Sequence, residues 1–225
     1  MKKILFLVGL FWGAFWFSQS VTLSRAVKIH ENNDRLFHYL PTVGEGAEYL
    51  GDVEVQGAST DDAAIFGLVY QKAKSIGANA FSVKRNEAID GGWVDFNPQH
   101  YVLSLYYVAE IPTEDNMVYL FASSKKQKVR INEKEVLLAP RTYLGFRLDS
   151  ASTTAVSSGR FLGSKIVLGY KEGQPSRYFQ VQGGGLRSDR TGGSGGLLIK
   201  SGDLILLERS YGGFLRAIYA EKAWD

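Results

Sequence analysis

The stretch Ser59 to Ala80 reads STDDAAIFGLVYQKAKSIGANA, and its reading decides the first half of the fold. Ile65, Leu68, Val69, Ala73 and Ile76 recur at three- and four-residue spacing, which lays an apolar stripe along a helix predicted over Asp61 to Ile76. Ser59 or Thr60 is expected to cap it, and Asp61 and Asp62 suit the positive end of its dipole. Lys72 and Lys74 sit in the closing turns, and Gly77 is placed to take the left-handed conformation that ends a helix. Gly67 inside it costs about 1 kcal/mol relative to alanine.

Strand-like runs flank the helix: Tyr49 to Val55 before it, Ala80 to Lys84 after it, and Tyr101 to Val108 beyond a loop. These elements predict a small α/β unit, one helix on a sheet, spanning 21–111. Val21 to Glu48 carries turn signals at Asn32-Asn33-Asp34 and Pro41 to Gly46 but no clear element. Ile111 to Asn116 breaks the pattern and is expected to be a domain boundary. Short alternating runs then dominate 117–225, including Val118 to Phe121, Val129 to Ile131, Leu144 to Leu148, Tyr178 to Val181, Leu204 to Leu207 and Phe214 to Tyr219. The fold class expected is α+β, the small unit followed by a mainly antiparallel β-sandwich or partly closed barrel.

The quoted stretch, together with Gly51-Asp52-Val53-Glu54-Val55, resembles a strand–helix–strand unit of small bacterial envelope proteins. The resemblance extends to the sensor lipoprotein of the Rcs stress system and to small families assigned to heavy-metal binding. In that unit a helix runs into Gly-Ala-Asn-Ala and then a strand, which assigns Gly77 the reversal and Asn79 the satisfying of free carbonyls. The Rcs sensor is disulfide-stapled and lipidated; this chain contains no cysteine and can be neither. The second half resembles secreted β-sandwich domains of unknown function.

The absence of cysteine also excludes thiol catalysis and thiolate metal sites. At the N-terminus, Lys2 and Lys3 precede an apolar run from Ile4 to Phe17 and then Ser18-Gln19-Ser20, the layout of a signal peptide over 1–20. Its fourteen residues span about 21 Å as a helix, against roughly 30 Å of hydrocarbon, too short for a comfortable membrane span. The expectation is an exported protein, periplasmic or extracellular, not lipidated and with no membrane span after cleavage. Beyond residue 20 the chain holds 24 basic against 23 acidic side chains, so no general pull toward nucleic acid is expected.

Candidate chemistry is sparse. Gly192-Gly193-Ser194-Gly195-Gly196 satisfies the G-x-S-x-G pattern of serine hydrolases, but that elbow needs a strand before and a helix after, and here a glycine-rich loop precedes a strand. Arg187 and Arg190 in the same loop could join its backbone amides around an anion. Asp90, Asp95 and Asn97 offer oxygen ligands at a spacing unlike the EF-hand, so a structured turn is the reading preferred to a metal site. Trp93, Phe96 and Tyr101 form a candidate aromatic patch for a glycan, a small ligand or another envelope protein, with core anchoring as the alternative. His30, His38 and His100 stand in no ligand spacing. Lys125, Lys126, Lys128 and Arg130 read as protection of a strand edge. No convergent catalytic set and no cofactor motif is present. The expectation is therefore a non-enzymatic binding or structural protein of the envelope, with a carbohydrate-active or other hydrolase using an Asp/Glu pair as the alternative.

Overall fold

The computed structural model describes residues 20–57, 59–84, 96–158, 164–182, 200–201 and 204–224. In chain order these form β1 (Ser20–Ala26), β2 (His38–Tyr39), β3 (Ala47–Gln56), α1 (Asp62–Ser75), β4 (Ala80–Val83) and β5 (His100–Val108). There follow β6 (Met117–Ala122), β7 (Gln127–Ile131), β8 (Lys134–Leu138), β9 (Thr142–Arg147), β10 (Thr154–Ser157), β11 (Lys165–Leu168) and β12 (Arg177–Val181). The chain closes with β13 (Lys200–Ser201), β14 (Leu204–Leu206), α2 (Arg209–Ile218) and β15 (Ala220–Glu221).

Helix α1 forms where the apolar spacing places it. Its cap is Asp61, whose carboxylate accepts from Ala64 N at 3.0 Å, rather than Ser59 or Thr60. The Ser59 hydroxyl instead accepts from the Asp61 amide, fixing the approach to the helix. At the far end Gly77 adopts φ +79°, its amide bonded to the Lys74 carbonyl, while the Ala78 amide reaches back to Ala73. That pair of bonds is the Schellman closure that a left-handed residue permits. A Cβ on Gly77 would lie 1.7 Å from the His30 carbonyl oxygen, so close approach demands glycine as firmly as φ does.

Strands β3 and β4, joined through α1, are separated in the sheet by β5, which pairs antiparallel with both. The five-stranded sheet runs β1-β3-β5-β4-β2. Asn79 ties the start of β4 to the end of β5: its side-chain amide exchanges two 2.8 Å bonds with the backbone N–H and C=O of Val108. Lys74 anchors the less regular 34–37 segment, donating to the carbonyls of Asp34 and Leu36 at 2.7 Å each.

Two further sheets follow, a four-stranded one ordered β11-β10-β7-β8 and a six-stranded one ordered β13-β14-β12-β6-β9-β15. The period-two alternation of β6 sends its side chains into two different cores. Val118, Leu120 and Ala122 join Val129, Leu138 and Val156 of the four-stranded sheet. Tyr119 and Phe121 join Leu50, Val53, Ile65, Val69 and Phe214, a cluster that draws on residues from both sides of the 111–116 segment. The architecture is α+β and rich in sheet.

Phe214 to Tyr219, read above as a strand, is instead helical through Ile218. Tyr211, Phe214, Leu215 and Ile218 have helical spacing, but Gly212 and Gly213 argue against a helix on propensity alone. The reason for Gly212 is tertiary: a Cβ there would sit 2.2 Å from Cγ of Tyr178, so α2 can lie on β12 only without one. Nor does β7 form an edge. It runs inside its sheet, and Lys128 and Arg130 pair across to Glu135 on β8, Lys128 at 2.8 Å.

Candidate functional site

The sequence-predicted site residues do not converge among the described residues. Trp93, Asp90, Asp95, Arg187, Arg190 and the Gly192-to-Gly196 motif lie outside them. Phe96 is 40% exposed, whereas Tyr101 is 5% exposed and belongs to the core, with the two rings 5.3 Å apart. Asn97 makes a turn, its side chain accepting from Gln99 N and its carbonyl from His100 N. His100 bonds Glu54 at 2.7 Å, and His30 stacks on Tyr107. Burial holds His38 below the ordinary histidine range. Among the described residues no group of three or more histidine or acidic side chains is placed to hold a metal ion.

The acids that the fold buries are each held by a cation. Asp52 accepts from Ser104 Oγ at 2.8 Å and from Lys84 Nζ at 3.0 Å. Burial pushes its carboxyl up, but these bonds outweigh burial and hold it below the usual carboxylate range. Asp62 accepts from Arg141 Nη1 at 2.9 Å and from the Tyr219 hydroxyl at 2.7 Å. Half-exposed Glu114 accepts from the Tyr119 hydroxyl at 2.6 Å and from Arg216 Nη1 at 2.7 Å; against the opposing effect of burial, these bonds depress its pKa too.

Two arginines behave differently. Arg177 opens β12 and Arg209 opens α2, and together they line a cavity of about 250 Å³. Gln174, Pro175, Ser176, Tyr178, Leu206 and Leu207 complete its wall. Arg177 is half-buried; its Nη2 donates a long 3.3 Å bond to the Gly169 carbonyl, and burial lowers its pKa. Among the described residues no carboxylate lies within ion-pair distance of either guanidinium. The nearest acid in sequence, Glu208, is committed to capping α2, accepting from the amides of Ser210 and Tyr211 and from Ser210 Oγ.

The cavity wall is braced from behind. Tyr178 stacks on Tyr119 with ring centroids 5.3 Å apart, and the Arg216 guanidinium lies 4.5 Å over the far ring. Arg216 is in turn held by Glu114, whose backbone carbonyl accepts from Ser176 Oγ at 2.7 Å. The sequence reading missed this site because Arg177 reads as an ordinary strand residue and Arg209 as part of a loop before a strand. The available signal was the helical spacing from Tyr211 to Ile218, which would have brought Arg209 to a helix start.

A groove of about 240 Å³ lies elsewhere, between β8 and the 222–224 segment. There the Trp224 indole donates to the Gly145 carbonyl and Lys134 lies over its ring, so its principal groups already have partners. The arginine cavity is the candidate site. The chain matches no family model, no curated protein and no solved structure.

Proposed function

We propose that this is an exported, non-enzymatic protein of the bacterial envelope that acts by binding, with the cavity of Arg177 and Arg209 as its site. The observation that carries the reading is the contrast in charge. Asp52, Asp62 and the half-exposed Glu114 are each consumed in an ion pair, while among the described residues the two cations beside the cavity have no carboxylate partner. Export is supported by the basic start, the short apolar run and the small residues Ser18 and Ser20 that follow it. The likeness of the strand–helix–strand unit to small envelope proteins points the same way. The six- and four-stranded sheets, which share one apolar layer, are read as a β-sandwich.

Cell fractionation with intact-mass analysis tests export: the chain should be recovered outside the cytoplasm and begin near Val21. A thermal-shift survey against chemically varied small molecules tests binding, and a panel of chromogenic glycosides and esters tests for turnover. Full-length chain in the cytoplasm overturns export. Turnover lost in Asp52→Asn, Asp62→Asn or Glu114→Gln would establish the hydrolase alternative instead.

A further inference from the structure

We propose that the cavity between β12, β14 and α2 takes a small organic anion, a carboxylate carried on a flat apolar body. Arg177 and Arg209 would hold the carboxylate, and Tyr178, Pro175 and Leu206 the body. The inference rests on the binding reading above and adds the class of ligand.

Charge sets the sign. Arginine stays protonated at any pH the protein meets, so Arg177 cannot escape its partial burial by losing a proton. Among the described residues no counter-charge meets the Arg177 guanidinium as it leaves water, and the one long bond they supply, to the Gly169 carbonyl, does little to offset that cost. A carboxylate matches the donor fork of a guanidinium and forms the stronger, charge-assisted kind of hydrogen bond. The helix amides of α2 are not part of the site, because Glu208 already occupies them.

Shape and polarity set the rest. About 250 Å³ falls below the range of cavities that enclose drug-sized ligands, so the occupant is compact. The tyrosine, proline and leucine walls would go unused by a hydrated inorganic ion, whereas a flat ring or short apolar chain gains from covering them. The Tyr119–Tyr178 stack and the Arg216–Glu114 pair behind it hold the Tyr178 wall in place before any ligand arrives, which reduces the ordering cost of binding.

The test is calorimetric titration of the full chain at low salt with benzoate, its neutral analogue benzamide, and inorganic phosphate. Benzoate is expected to bind one to one and saturably, and both other probes at least about ten-fold more weakly. Arg177→Gln and Arg209→Gln should each weaken benzoate by about ten-fold, while Lys128→Gln leaves it unchanged. Arg209 is exposed, so its variant keeps the fold even if the half-buried Arg177 variant does not. Benzamide binding as well as benzoate, no saturation up to about 10 mM, or an Arg209→Gln variant that folds and binds like the parent would each overturn the proposal. Phosphate equal to benzoate would overturn the organic part and leave an oxyanion site. A neutral compound found in the wider survey would sink the anion inference while leaving the binding reading intact, whereas turnover would remove the binding reading itself.

Discussion

The hydroxyl of Tyr219 donates a 2.7 Å hydrogen bond to Asp62 Oδ2 across 157 positions of sequence, tying the first turn of α1 to the residue that closes α2. Arg141 completes the tie, its Nη1 at 2.9 Å from both carboxylate oxygens and its guanidinium 4.8 Å over the Tyr219 ring. Asp62→Asn leaves Arg141 without its counter-charge and should destabilize the fold by about 2–4 kcal/mol. Tyr219→Phe, which removes one bond to a charged acceptor, should cost about 1–2 kcal/mol. Urea titrations give both numbers; a loss below about 0.5 kcal/mol for Asp62→Asn would show the tie to be incidental.

Tyr101 lies against the same core but has the opposite expectation. Its hydroxyl is buried with no hydrogen-bond partner among the described residues, and burial pushes its pKa well up. Tyr101→Phe should therefore raise stability, by up to about 1 kcal/mol, because an unsatisfied buried polar group is removed without a cavity. A clear loss of stability would mean the hydroxyl is satisfied after all.

Three glycines separate propensity from packing. Nothing lies within 4 Å of a Cβ built on Gly67, so Gly67→Ala should add up to about 1 kcal/mol by helix propensity. Gly212→Ala makes the same change in α2 but drives a methyl into Tyr178, and should cost about 1–3 kcal/mol. Gly77→Val combines positive φ with collision against the His30 carbonyl and should cost more than about 2 kcal/mol. Thermal melts of the three variants would rank them; a harmless Gly77→Val would refute the Schellman ending of α1.

Stability should fall with acid in two stages. Burial holds the pKa of His38 below its ordinary 6.5, so the unfolded chain takes up that proton first and stability declines as pH drops below about 6.5. His38→Gln should remove this stage. Glu114 is depressed below its ordinary 4.5, so its contribution is whole above that pH and disappears as pH falls through the lower folded-state value. Glu114→Gln should be less stable at neutral pH yet lose less between pH 4.5 and strong acid. Chemical-denaturation midpoints across pH 3–8 test both. A Glu114→Gln curve parallel to the parent's would show that the Arg216 pair does not carry the acid response.

The legible parts of the fold were those written in local chemistry. The α1 stripe, the glycine after it and the β-branched run of β5 each declare themselves within a dozen residues. What stayed hidden depends on partners far away. Gly212 looks like a helix breaker until Tyr178 is beneath it, and the alternation of β6 gives no hint that its two faces enter separate cores. The arginine site is hidden for the same reason, since its residues come from three separate elements and only their neighbors make them unusual.

The six-stranded sheet carries a consequence for how the chain reaches its native state. Its parallel pairs join β6 to β12 and β9 to β15, so closing it requires contacts over some sixty to eighty positions of sequence. Until α2 arrives, the core around Leu50, Val53 and Val69 lacks Phe214, Leu215 and Ile218, three of its buried members. Pairings this distant in sequence are expected to form slowly, and to be completed only once residues 204–221 are free to dock. The vulnerability of the chain to proteases and aggregation is expected to concentrate in the interval before the second helix seats.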